Sequence, residues 1–219
     1  CIIMKKFAIV LSGSGVYDGS EIHEATLAML AVAKKGAEYE LFAPDIDQYH
    51  VINHLTGDEM NETRNVLIES ARIARGEIKP LSEYQPGGFD GIIFPGGFGA
   101  AKNLSTFAFK GADCEINPDT EHAVKSTREM NKPIGALCIA PAVIAKILGS
   151  VEVTIGKDPG TAENIRNTGA THIDTETVGV AIDKTNKVVS TPCYMLADNI
   201  AQVAEGAENL VDAMLDLAD

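Results

Sequence analysis

Pro133-Ile134-Gly135-Ala136-Leu137-Cys138-Ile139-Ala140-Pro141 carries the decisive pattern. Ile134 to Leu137 is a short apolar run of strand length. Pro141 stands where the first turn of a helix tolerates proline, because that turn's N–H groups lack intrahelical partners. The strand therefore passes into a helix at Cys138, and a strand-to-helix step of this kind is the basic unit of an α/β chain.

The same unit recurs outward from this point. Gly91-Ile92-Ile93-Phe94 reads as a buried strand running into the glycine turn Pro95-Gly96-Gly97-Phe98-Gly99. Near the start, Phe7 to Leu11 is an apolar run ended by Ser12-Gly13-Ser14-Gly15, and Ile22, Ala25, Leu27, Leu30 and Ala33 follow at helical spacing until Gly36. Tyr39 to Ala43 forms a second strand closed by Pro44. Residues 45–62, with His50, Asn53, His54 and Gly57, read as a long surface loop before a helix from Thr63 to Arg75. An insert of weak periodicity, Ser105 to Pro118, precedes a helix from Thr120 to Asn131. Val151 to Ile155, Val178 to Ile182 and Val188 to Thr191 are further short strands, and Leu196 to Leu217 is an amphipathic closing helix. This alternation predicts a mostly parallel sheet with helices on both faces and right-handed crossovers.

The chain has 219 residues, enough for one such domain, expected to span residues 4–219, and short for two. Its net charge of −13 repels a phosphate backbone and no Lys/Arg cluster opposes it, so neither nucleic acid nor an anionic membrane is an expected partner. Mean hydropathy is +0.04, and no apolar run reaches the roughly 18 residues that cross a bilayer. Cysteines at 1, 114, 138 and 193 form no CxxC pair and no zinc-like spacing with histidine, so neither a disulfide scaffold, a metal site nor another cofactor is expected. Cys1-Ile2-Ile3-Met4-Lys5-Lys6 has no signal- or transit-peptide pattern. Translation is expected to begin at Met4, with Cys1 an upstream remnant and a reducing cytoplasm as the compartment.

Three groups converge on the carboxyl edge of the expected sheet. Cys138 at a helix start is exposed to the favourable end of a helix dipole, which predicts a lowered thiol pKa; a small buried cysteine is the alternative. The amides of the glycine turn, with that of Ile139, are placed to stabilise an oxyanion, although such turns also serve merely to redirect the chain. Glu21 and Glu24 share one face of the first helix. Either compensates the helix dipole, and one of them within reach of Cys138 would have a raised pKa and could exchange a proton with sulfur. His23 is expected to line the pocket, with Tyr17, Asp18 and Asn103 at its mouth. His50 and His54 are expected to be loop residues rather than metal ligands.

Pro95-Gly96-Gly97-Phe98-Gly99-Ala100-Ala101-Lys102-Asn103-Leu104-Ser105 together with Ala136-Leu137-Cys138-Ile139-Ala140-Pro141 resembles the ThiJ/PfpI superfamily, also called class I glutamine amidotransferase-like. The stretches from Leu11 to Glu24 and from Val51 to Gly57 are similar to its ElbB branch, the isoprenoid biosynthesis proteins with an amidotransferase-like domain. The resemblance runs from about Met4 to the C-terminus. It implies a flavodoxin-like three-layer α/β sandwich, a nucleophile-elbow cysteine at Cys138, a partner glutamate at Glu24 and a homodimer. It also implies a cofactor-free, glutathione-independent glyoxalase of the glyoxalase III lyase type, with a small dicarbonyl as substrate and glyoxal turned into glycolate. Gly96, Gly97 and Ile139 would bind the oxyanion or substrate, with Asn103 and His23 beside them.

One departure from the family pattern bears on this. Thr154-Ile155-Gly156-Lys157-Asp158-Pro159, where some relatives carry a histidine, has none. His172, after Gly169, is expected on the surface. Two other functions fit the same residues: a redox or stress sensor working through oxidation of Cys138, and a non-catalytic amidotransferase-like partner in isoprenoid metabolism.

Overall fold

The computed structural model describes residues 3–219; Cys1 lies outside the described residues. The chain folds as β1 (Lys6–Val10), α1 (Ile22–Lys34), β2 (Glu38–Ala43), α2 (Val66–Ile73), β3 (Ile78–Pro80), β4 (Gly91–Phe94), α3 (Phe98–Lys102), α4 (Phe107–Lys110), α5 (Pro118–Glu129), β5 (Ile134–Leu137), α6 (Ala140–Leu148), β6 (Glu152–Val153), α7 (Pro159–Asn167), β7 (Thr171–His172), β8 (Ala181–Asp183), β9 (Val188–Thr191) and α8 (Ile200–Leu217). A seven-stranded sheet runs in the order β3-β2-β1-β4-β5-β9-β8. It is parallel except for β8, which pairs antiparallel with β9 at one edge.

Alternation along β1 builds the layers. Phe7, Ile9 and Leu11 point into one apolar cluster with Ala28 and Val32 of α1 and Val203, Leu210 and Met214 of α8. Ala8 and Val10 point into the other, with Ala123 and Val124 of α5 and Val143 and Ile144 of α6. This is the flavodoxin-like sandwich with both faces covered, so the central strands are apolar throughout. The strand order reverses between β1 and β4, and the carboxyl ends on either side of such a switch point leave a crevice.

Several elements differ from expectation. The segment from Val151 to Ile155 is a strand only at Glu152–Val153, paired with β7 in a separate two-stranded sheet. Side chains take its N–H groups instead of a longer ladder: Glu152 donates to Asp183, Thr154 to Ser190 and Ile155 to His172. Val178 lies in a turn closed by Gly179 N–H donating to Glu176 O, which delays β8 to Ala181. Asparagine caps set three helix starts away from the apolar pattern. Asn65 and Asn199 delay α2 and α8 by accepting from the Ile68 and Gln202 N–H groups, while Asn117 with Pro118 starts α5 early. The edge strand β3 and helix α7 were not evident in the periodicity; β3 is three residues long, and α7 starts from the Asp158 cap with Pro159 behind it. No helix among the described residues is long and apolar enough to cross a membrane.

Helix α8 ties β5 to α1, with Leu210 1% exposed between them. Truncating it leaves a cavity, so Leu210→Ala is expected to cost about 2–5 kcal/mol. In urea unfolding this is a lower midpoint at unchanged slope.

Candidate active site

Four loops meet at the carboxyl edge: those after β1, β4, β5 and β9. Cys138 follows β5 in a left-handed conformation, φ +62°, which points the side chain out of the strand line at the start of α6. Its N–H donates to Thr191 O at 2.9 Å, tying the turn to β9. The residue is only 8% exposed.

Glu24 comes from the first turn of α1 and is fully buried. Its carboxyl lies beside the Cys138 thiol, the two flanking Gly96. Oε1 accepts from the Gly96 N–H at 3.0 Å and Oε2 from the Tyr194 N–H at 3.3 Å. Glu21 caps the same helix, accepting from the Glu24 N–H at 2.8 Å, and its own N–H donates to Gly96 O. The glycine turn must approach this closely. A Cβ on Gly96 would lie 2.5 Å from Cys138 Cβ and 2.7 Å from Glu24 Oε1. Gly97 has φ +97°, and a Cβ there would meet the backbone of Gly19 and Glu21. The Gly97 N–H faces the Cys138 sulfur.

Burial, reinforced by Glu21, pushes the Glu24 carboxyl up to about 8. Burial, then Glu24 and Cys193, push the Cys138 thiol well above its ordinary value, and the Gly97 N–H only partly opposes this. The expected lowering of the thiol pKa is therefore not met, because desolvation outweighs the helix end. The site holds a thiol and a carboxyl that share one buried position, with the carboxyl titrating close to neutral pH.

A cavity of about 440 Å³ opens over Cys138, lined among others by Glu21, Gly97, Phe98, Ile139 and Tyr194. A larger surface hollow of about 830 Å³, around Tyr39, Ile73 and Lys79, contains no cysteine and lies by β2 and β3, on the far side of β1 from Cys138. Of the expected site residues, Cys138, Glu24, Gly97 and Ile139 meet here. Gly96 does not offer a free amide, since its N–H is taken by Glu24. Asn103 is a clamp: its Nδ2 donates to Ser12 O and Asp18 O, and its Oδ1 accepts from the Tyr49 N–H, which holds three loops together and leaves nothing for a substrate. His23 is exposed and reaches the site only through Tyr194, at 2.7 Å between Nδ1 and the phenol oxygen. Asp18 is buried, accepting from the Ile52 N–H, and Tyr17 stacks on His54. Both pin the loop of residues 45–62 against the loop after β1.

His172 is not on the surface. It is 8% exposed within β7, where burial lowers its pKa and its Nε2 accepts from the Ile155 N–H. It holds the Thr154 to Pro159 segment and does not line the cavity. Cys193 and Tyr194 were missed. Cys193 follows β9 through Pro192, with φ +42° and no exposure. The signal was a second strand-then-cysteine pattern, Val188-Val189-Ser190-Thr191-Pro192-Cys193.

The raised carboxyl links stability to pH. Unfolded, Glu24 titrates near 4.5, and folded near 8, so the folded state binds the proton more tightly. Its contribution is complete below pH 4.5 and is lost as pH climbs to about 8. Wild-type Tm is thus expected to fall from pH 5 to 8 more steeply than that of Glu24→Gln; equal slopes in thermal melts would contradict the raised carboxyl.

No family model matches the chain. The human glutamine amidotransferase-like class 1 domain-containing protein 3, mitochondrial, is 47% identical over 222 residues, spanning 97% of this chain and 83% of that protein. An isoprenoid biosynthesis protein with amidotransferase-like domain from Ehrlichia chaffeensis superposes with a TM-score of 0.92 at 36% identity, over 98% of this chain and 100% of that one. More distantly, glyoxalase III from Candida albicans gives a TM-score of 0.62 at 15% identity over 96% of this chain and 97% of its own, a likeness of fold alone. The chain therefore belongs to the class I glutamine amidotransferase-like proteins, the family of both the human protein and the Ehrlichia chaffeensis isoprenoid biosynthesis protein.

Proposed function

We propose that this protein is a glutathione-independent glyoxalase that converts glyoxal to glycolate, with Cys138 as nucleophile and Glu24 as proton carrier. The observation that carries this is the buried thiol and carboxyl side by side against Gly96, with the carboxyl pushed up to about 8 by burial. A group that must take and return a proton works best when its pKa lies near the working pH.

Ionised Glu24 takes the Cys138 proton as sulfur adds to one aldehyde carbon, and returns it to the carbonyl oxygen to give a hemithioacetal. In this reading the amides of Gly97 and Ile139, which flank Cys138 in the cavity wall, donate to the oxyanion once sulfur has added. Glu24 then moves the former aldehyde proton to the neighbouring carbon through an enediol, leaving a glycolyl thioester. Water cleaves the thioester to glycolate and the free thiol. The reaction is an internal oxidation and reduction, so no external oxidant or cofactor enters.

A redox sensor needs an accessible, low-pKa thiolate. Cys138 is 8% exposed and its thiol is pushed up, which favours the enzyme. Glutamine hydrolysis needs a histidine base beside the cysteine, and none lines the cavity among the described residues.

The test is glycolate formation from glyoxal without glutathione. Wild type is expected to turn over repeatedly, Cys138→Ala not at all, and Glu24→Gln roughly 10²–10⁴-fold more slowly. Because the carboxylate is the active form, kcat/KM should rise with pH through about 8 and this rise should vanish in Glu24→Gln. Consumption that stops after about one equivalent per Cys138 would leave a reactive thiol or a non-catalytic family member instead.

A further inference from the structure

The cavity over Cys138 is much larger than glyoxal needs. At about 440 Å³ it falls among pockets that enclose ligands of drug size, roughly 300–1,000 Å³. Its wall is mainly apolar: Val16, Phe98, Ala101, Phe107, Ala108 and Met195 join the reactive end. No Lys, Arg or His lines it among the described residues, and Glu21 does. Lys102, on α3 behind the wall, lies 5.1 Å from the Phe98 ring centre with its ammonium donating to Tyr17 O. A carboxylate or phosphate on the substrate would therefore meet an acid and apolar surface without a counter-ion, at a desolvation cost nothing here offsets. The other polar side of the wall is neutral. Thr161 and Asn164 sit three residues apart on α7; the Thr161 hydroxyl is held by Asp158 at 2.6 Å, which leaves the Asn164 amide to face a ligand.

Resting on the glyoxalase reading, we infer that the substrates of this site are uncharged α-oxoaldehydes bearing an apolar substituent up to the size of an aromatic ring. The substituent lies against Phe98, Phe107, Ala108 and Met195 while the aldehyde meets Cys138. The chemistry is unchanged: sulfur adds to the aldehyde, the aldehyde hydrogen moves to the neighbouring keto carbon as a proton, and water releases the 2-hydroxy acid. Phenylglyoxal plus water thus gives mandelate, with atoms and electrons balanced.

The experiment compares kcat/KM for glyoxal, methylglyoxal, phenylglyoxal and 4-carboxyphenylglyoxal. Values are expected to rise from glyoxal to phenylglyoxal by roughly 10- to 200-fold, the range one well-buried apolar group supplies, and to drop again for the carboxylated compound. Ala108→Trp, at an exposed position on the wall, narrows the cavity without disturbing the core and should lower the phenylglyoxal-to-glyoxal ratio; Phe107→Ala should lower it by removing the ring. Turnover that favours glyoxal, or that accepts the carboxylated compound equally, overturns the inference and leaves the glyoxalase standing. Binding to Cys138→Ala, followed by calorimetry with the unreactive ketones acetophenone and acetone, separates the two further cases. No turnover of any aldehyde with acetophenone bound at least tenfold tighter than acetone, and weakened by Ala108→Trp, upholds the apolar site and removes the glyoxalase. Neither turnover nor acetophenone binding removes both.

Discussion

A carboxyl set against a thiol where water barely enters is the constraint on which the rest of the site depends. Neither Glu24 nor Cys138 can carry charge there without help, because burial removes the hydration that stabilises an ion. The help comes from backbone N–H groups of two loops, those after β4 and β9: Gly96 and Tyr194 donate to the carboxyl, and the Gly97 N–H faces the sulfur. Those loops must therefore meet within hydrogen-bonding distance, and the approach is so close that no side chain fits at positions 96 and 97. The glycine turn, which as bare sequence could serve oxyanion binding or mere redirection, has one amide supporting the glutamate and the next supporting the cysteine.

The sheet makes that convergence reproducible. β1, β4, β5 and β9 are neighbours or near neighbours, and each ends at the same edge, so the loops start in register and need little length to meet. The contacts between loops then lock them. Glu21 donates its N–H to Gly96 O, Cys138 to Thr191 O, and Asn103 bridges Ser12, Asp18 and Tyr49. Such a scaffold holds the reacting groups in place before substrate arrives, which is where preorganised electrostatics gain their effect. His172 shows the same economy of position: it is a buried acceptor for Ile155 N–H, bracing the very segment that lacks a histidine facing Cys138.

Apolar runs of strand length and helical spacing were legible because they reflect local periodicity: β1, β2, β4, β5, β9 and α1 stand where Phe7 to Leu11, Tyr39 to Ala43, Gly91 to Phe94, Ile134 to Leu137, Val188 to Thr191 and Ile22 to Gly36 place them. Elements held by side-chain hydrogen bonds were not legible. The Val151 to Ile155 segment has β-like composition, yet its N–H groups are taken by Asp183, Ser190 and His172. Helix starts moved wherever an asparagine cap outcompeted the apolar pattern, as at Asn65, Asn117 and Asn199.

Residue order alone was enough to place Cys138 on a strand-to-helix turn, the glycine turn on a neighbouring strand end, and Glu24 in the first turn of α1, because these follow from short-range spacing and from the parallel rule that puts strand ends on one edge. Which acidic residue touches sulfur, the reversal of the thiol shift from lowered to raised, the diversion of Asn103 and Gly96 into structural bonds, and the apolar character of the cavity all arose from packing. Each depends on desolvation and on the meeting of residues far apart in the chain, such as Glu24 hydrogen-bonded by Tyr194 N–H, or Phe98 and Met195 lining one cavity. Local spacing carries no information about either quantity.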